Sequence, residues 1–282
     1  MRTKTPDQPY LYAGEGGFSQ GPQISFDRVV GRWLPVNQTQ VSADGLHYAY
    51  LDYESGSATP QRVHIVDVRS GSDQVVHRAA NTPVFGVVGL AQQDIYLIAC
   101  EPGETSPNCW GPLWRVDSAG GLTEISDRRG AWVVSGRTAW LVTCWPAEYP
   151  VPCFGSYDKP EPNQLLRIDL ATGNEEIWDR GSGVHMIGVD SDGMPLVAVN
   201  SATESVLFMV TAPEQKERLF SIPVSEPWAG FSYAYADRIG TWLQASYVPP
   251  GFQTVVLYLY SKESGGREIS HEFSAVPAGS FG

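Results

Sequence analysis

Strand-like segments recurring in sets of four predict an all-β chain, a single β-propeller of four-stranded antiparallel blades. Three observations carry that expectation. Five consecutive stretches repeat the order strand, tight turn, strand, loop, strand, tight turn, strand. Their period is roughly 40–55 residues, the length of a propeller blade. The strand segments are rich in Val, Ile, Tyr and Trp, as a pleated, half-buried surface requires, and no long window carries helical periodicity. A β-sandwich of many short strands is the alternative, and it has no reason to repeat at this period.

The first repeat runs from Arg32 to His77. Its second strand is Leu46 to Leu51, after the turn Ala43-Asp44-Gly45. Its third is Arg62 to Val68, closed by Arg69-Ser70-Gly71, and its fourth is Gln74 to His77. Later repeats supply Ile95–Ala99, Ala139–Thr143, Pro195–Val199 and Gly240–Ala245 as second strands. They supply Leu113–Asp117, Leu165–Leu170, Val206–Val210 and Val255–Tyr260 as third strands. Equivalent turns start near Asp44, Gln93, Gly136, Asp192 and Arg238. Residues 1–9 are expected to be a tail and residues 10–282 the propeller. Tyr10–Ala13 and Gln23–Phe26 are further strand-like pieces. Placed beside the C-terminal end they complete a sixth blade, and six blades are favoured over five because closure removes exposed strand edges.

Composition narrows the function. The chain has 282 residues, of which 42% are apolar and 18% charged, with a formal charge of −12 and a pI near 4.8. Such a field repels a phosphate backbone, which argues against nucleic-acid binding. No apolar run is long enough to span a bilayer as a helix, so no membrane insertion by this segment is expected. No apolar stretch follows Met1-Arg2-Thr3-Lys4-Thr5-Pro6, so no signal peptide is legible.

The stretches Val41-Ser42-Ala43-Asp44-Gly45-Leu46-His47-Tyr48-Ala49-Tyr50 and Ile65-Val66-Asp67-Val68-Arg69-Ser70-Gly71 resemble the repeat of TolB-like and WD40-like bacterial propellers. Ile168-Asp169-Leu170-Ala171-Thr172-Gly173 is a weaker copy. The likeness covers most of the chain and implies the fold; such propellers range from docking platforms to enzymes. Gly31-Arg32-Trp33-Leu34-Pro35-Val36 with the repeat after it also resembles a group of exported bacterial propellers that brings no activity with it.

Four cysteines, Cys100, Cys109, Cys144 and Cys153, fall in two pairs with identical gaps. Each pair opens at the end of a second strand and closes before the third strand of its repeat. Four cysteines allow three pairings, and the matched positions argue for Cys100–Cys109 and Cys144–Cys153. Zinc binding is the rival reading. Neither pair has the short spacing of a zinc ribbon, and no histidine lies between residues 78 and 184, so no metal is expected. A redox pair would want a CxxC motif. Disulfides persist in oxidising compartments, so an extracellular or cell-surface protein is expected, its signal or anchor lying outside this sequence. Asn37-Gln38-Thr39 fits a glycosylation sequon, a triplet common by chance.

In an antiparallel blade the first-to-second and third-to-fourth turns share one side, while second-to-third loops and inter-blade links share the other. Tight turns such as Asp44-Gly45, Ser70-Gly71, Thr172-Gly173 and Asp192-Gly193 populate the first side. The long loops populate the second, and loops on a rigid scaffold are where function concentrates. They carry Trp110, Trp145, Tyr149, Phe154, Tyr157, Tyr247 and Phe252, beside Glu101, Glu104, Glu148, Asp158 and Glu161 and several prolines. Rigid aromatics give contact area at low entropic cost. These seven aromatics are the candidate partner-binding residues. The structural alternative is that they cover blade tops while the acids are solvated.

No catalytic set stands out, and no cofactor is expected. No Gly-rich phosphate loop precedes a helix. His47, His64 and His77 read as ordinary strand positions of the first repeat, and His185 starts a first strand. Asp67, Asp117 and Asp169 recur directly before a turn, which marks turn formation rather than one active site. The expectation is therefore a non-catalytic extracellular propeller. Its partner is a protein, another copy of itself or a cell-surface glycan, bound through the long-loop face. A glycan-active hydrolase or lyase using carboxylates on that face is the alternative, and a structural subunit of a surface assembly is a third.

Overall fold

The computed structural model describes residues 10–12, 18–20, 25–27, 32–34, 36, 38–42, 44–52, 61–79, 84–91, 93–100, 109–144, 162–182, 184–201, 203–224, 229–236, 240–247, 254–272 and 280–281. The expected tail, residues 1–9, lies outside this set. A two-stranded ribbon comprises β1 (Tyr10–Tyr12) and β2 (Phe18–Gln20). Next come β3 (Ser25–Asp27) and β4 (Arg32–Leu34), then a three-stranded sheet of β5 (His47–Asp52), β6 (Gln61–Asp67) and β7 (Asp73–Ala79).

Four meanders of four strands follow. The second repeat is β8 (Val84–Ala91), β9 (Asp94–Cys100), β10 (Leu113–Val116) and β11 (Leu122–Ser126). The third is β12 (Ala131–Ser135), β13 (Thr138–Cys144), β14 (Pro162–Asp169) and β15 (Glu175–Ser182). The fourth is β16 (Val184–Val189), β17 (Pro195–Asn200), β18 (Glu204–Ala212) and β19 (Gln215–Pro223). The fifth is β20 (Gly230–Ala236), β21 (Thr241–Tyr247), β22 (Thr254–Ser261) and β23 (Gly265–Glu272). Finally β24 (Ser280–Phe281) runs parallel to β3, giving the sheet β24-β3-β4. Six sheets of three or four strands therefore exist among the described residues.

This corrects one assignment. The first repeat does not begin at Arg32: Arg32–Leu34 pairs with Ser25–Asp27, in the sheet that β24 also joins. The short strand is followed by a 3-10 turn, Gln38–Gln40, and among the described residues the bridge Val41–Tyr48 occupies the first-strand place beside β5. Of the two early strand-like pieces, the first pairs within the ribbon and the second joins this terminal sheet.

Two irregularities recur with the repeat. The ladder between third and fourth strands slips after Val63, Leu113, Leu165, Leu207 and Leu257, one equivalent place in each repeat. First strands β8, β16 and β20 also carry a bulge. Directly after it, Gly89 and Gly188 let a neighbouring first strand come close. A Cβ would lie 2.9 Å from Val134 Cβ in one case and 2.1 Å from the Ala234 carbonyl oxygen in the other.

The turns are built as the recurring aspartates suggest. Asp117 Oδ1 accepts from the amides of Ala119 (2.9 Å) and Gly121 (2.8 Å), and Asp169 Oδ1 from those of Ala171 and Thr172 (both 2.9 Å). Asp67 Oδ1 accepts from the Ser70 amide (2.7 Å) and hydroxyl (2.8 Å). The amides hold the Asp67 and Asp169 carboxyls below their ordinary range.

The chain divides into two compact units. One comprises Trp140–Ile168 and Asn174–Pro277, the other Arg2–Ala139, Asp169–Gly173 and Ala278–Gly282. Within the first, Leu196, Ala198 and Leu207 pack against Phe231, Leu243 and Ala245. A second cluster places Trp140 edge-on to Trp178 at 4.7 Å, with the Trp140 indole N–H donating to the Gly193 carbonyl at 3.0 Å. Within the other unit, Ala49 and Val63 pack against Phe85, Leu97, Ala99 and Val116.

Candidate functional site

The base of the first long loop is tightly built. Cys100 ends β9 and forms a disulfide with Cys109, with 4.5 Å between their Cα atoms. The chain then returns against β9. The Ala99 amide donates to the Pro112 carbonyl at 3.0 Å, and Gly111 lies so close that a Cβ would be 2.0 Å from the Ala99 oxygen. Only glycine fits such an approach. The indole N–H of Trp132, itself buried, donates to the Gly111 carbonyl at 3.0 Å, and the Gly130 amide donates to the Trp110 carbonyl at 3.0 Å. Residues 127–130 link two repeats, so loop and link share one side, as the strand order requires.

Of the seven aromatics expected on this face, the structure places Trp110 at the loop base, half-buried. Tyr247 ends β21, opposite Thr254. Trp145, Tyr149, Phe154, Tyr157 and Phe252 lie outside the described residues, as do the acidic loop residues. Cys144, at the equivalent end of β13, is disulfide-bonded, and Cys153 lies outside the described residues.

A second constellation was not expected. On one face of the first repeat, Tyr50 lies opposite His64 and Asp52 opposite Arg62. The Tyr50 hydroxyl donates to Asp73 Oδ2 at 2.6 Å, and His64 Nδ1 bonds Asp73 Oδ1 at 2.8 Å. The two rings stack at 4.4 Å with 19° between their planes. Arg62 binds the Asp52 carboxylate, whose Oδ2 is 3.9 Å from His64 Nε2. His64 is 7% exposed, and its Nε2 has no hydrogen-bond partner.

Electrostatics fix the roles. Burial raises the Asp73 carboxyl, but the hydrogen bonds from Tyr50 and His64 outweigh it, and the group is held below its ordinary range. Burial first, then the bond to Asp73, pushes the Tyr50 phenol up to about 12. Asp73 is thus an ionised acceptor and Tyr50 a neutral donor.

This corrects the view of His64 as an ordinary strand position. The pair Tyr50–His64 stands where the other repeats hold Leu97–Trp114, Val197–Phe208 and Leu243–Tyr258. The pair Asp52–Arg62 stands where they hold Val199–Val206 and Ala245–Val256. Register alignment of the repeats is the sequence signal that exposes the substitution. His77 Nδ1 bonds the Gly120 carbonyl at 2.9 Å, and burial lowers the pKa of His185.

Asp52 and Asp73 flank one imidazole, and a glycosidase would need a carboxylate pair across a cleft. Both are engaged, and Asp73 is held acidic, so it cannot serve as the proton donor. Among the described residues no three His, Cys, Asp or Glu side chains gather to hold a metal ion.

Comparison with solved structures now fixes the class. TolB from Acinetobacter baumannii superposes with a TM-score of 0.54 at 12% identity, covering 83% of this chain and 54% of TolB. The β-propeller domain of the Trilobed protease from Pyrococcus furiosus gives 0.53 at 13% identity, covering 82% and 69%. An oligogalacturonate lyase in complex with manganese gives 0.57 at 12% identity, covering 85% and 66%. The protein is an all-β propeller.

Its fold is of the TolB-like kind. The chain spans about half the length of TolB and just under two thirds of the lyase. No protein-family model matches it, and no curated protein matches it.

Proposed function

We propose that this propeller is an exported, non-catalytic binding protein that engages a protein or cell-surface glycan through its long-loop side. The observation that carries the reading is the locked base of the loop at 101–108. A disulfide, a close glycine contact and three hydrogen bonds hold its ends. Stiffening a loop before binding reduces the ordering cost of association. A disulfide-bonded cysteine at the matched end of β13 repeats the device in the next repeat. Disulfide bonding also supports export.

The test pairs a pull-down from native cell-surface extract with a glycan array. The variant with Trp145→Ala, Tyr149→Ala and Phe154→Ala should fold as the parent does and lose most of the captured ligand. Undiminished capture by that variant would clear the stretch from Cys144 to Asn163 of a binding role.

A further inference from the structure

A propeller repeat does not need an imidazole where His64 stands. At that register position the other repeats use Trp114, Phe208 and Tyr258. Yet the His64 ring is buried, and its Nε2 has no hydrogen-bond partner. An unsatisfied buried nitrogen is costly, and a bound ion or water is what commonly accounts for one.

The surroundings favour an ion. Asp52 Oδ2 lies 3.9 Å from Nε2. Zinc bonds to imidazole nitrogen and carboxylate oxygen are about 2.0–2.2 Å long, so one ion reaches both atoms, and closing the gap to roughly 3.4 Å makes the angle tetrahedral. On the other side of the ring, Asp73 Oδ1 is 2.8 Å from Nδ1. A ligating histidine is characteristically held in this way, its second ring nitrogen against a carboxylate that fixes the plane. Tyr50 reinforces the arrangement twice, donating to Asp73 Oδ2 at 2.6 Å and stacking on the imidazole at 4.4 Å. Tyr50, Asp73 and His64 thus form a chain that ends at the one nitrogen without a partner.

Arg62 is the competitor, because it binds the Asp52 carboxylate. The two side chains are 30% and 31% exposed, so Arg62 can turn to solvent while the core stays closed.

We infer that His64 Nε2 and the Asp52 carboxylate bind a divalent transition-metal ion of the zinc class, with Asp73 and Tyr50 as the supporting shell. Calcium and magnesium take oxygen ligands, whereas imidazole suits zinc, copper and nickel. Among the described residues no group of three ligating side chains forms, so water completes the coordination.

Calorimetric titration of zinc chloride into the full, metal-stripped chain tests this, with the visible absorption of bound Co2+ as a second reading. One ion per chain should bind. His64→Phe, which copies Phe208, should abolish binding and leave the circular dichroism unchanged. Asp52→Asn, at a partly exposed position, should give the same loss and serves should His64→Phe fail to fold. Asp73→Asn should weaken binding about 10–100-fold, and Arg62→Gln should tighten it. No ion bound by the parent, undiminished binding in a folded His64, Asp52 or Asp73 variant, or weaker binding in Arg62→Gln overturns the inference.

Discussion

Gly111→Ala tests the loop base most directly. The added methyl would sit 2.0 Å from the Ala99 carbonyl oxygen and 2.9 Å from its carbon. Both are backbone atoms, so no side chain can swing aside. The segment after Cys109 must move away from β9, which breaks the Ala99–Pro112 bond and the Trp132–Gly111 bond. Leaving buried partners unsatisfied costs about 1–3 kcal/mol each. With residual strain, the total is about 3–6 kcal/mol. For a chain near this size that lowers the thermal midpoint by roughly 6–24 °C. Gly136→Ala is the control. Gly136 has φ +57° and nothing within 4 Å of a would-be Cβ, so only the left-handed backbone is penalised, about 1 kcal/mol. Calorimetry on both variants decides. Equal shifts would refute the claim that close packing, rather than backbone conformation, locks the loop.

Three further outcomes follow from the same structure. Thiol titration of the unfolded, unreduced protein should find no free thiol, and four would remove the argument for export. Replacing Cys100 and Cys109 with alanine should cost about 2.7 kcal/mol in the chain-entropy model for a loop this short, read from urea midpoints. Acid should destabilise the fold through its turn carboxylates. Asp44 is held low chiefly by the Ser42 hydroxyl, and Asp67 and Asp169 by backbone amides. Their folded pKa values lie below the unfolded ones, so their contribution is complete above about pH 4 and fades as pH falls through the folded values. Melting curves across pH 2–5 check this, and Asp169→Asn should flatten the slope.

Much of the fold was legible because repetition multiplies weak local signals. Each turn aspartate reads ambiguously alone, but the same residue before a turn in three repeats identifies its job. The matched cysteine gaps led in the same way to Cys100–Cys109. Arg32-Trp33-Leu34 misled because its pairing depends on residues near the far end of the chain, and local propensity carries no record of a partner so distant in sequence. The bulges were invisible for a similar reason, since a ladder slip is a property of two strands. His64 was legible in principle. Taken singly it is one polar residue on a strand. Set against Trp114, Phe208 and Tyr258 at its register position, it is a departure from pattern.

Gly188 and Gly89 set how near adjacent first strands can come. In a saturation library these positions should rank among the least permissive in the molecule for that packing reason alone. An investigator ranking sites by mutational intolerance would place them beside genuine contact residues, so intolerance by itself will mislead a search for the working surface of this protein.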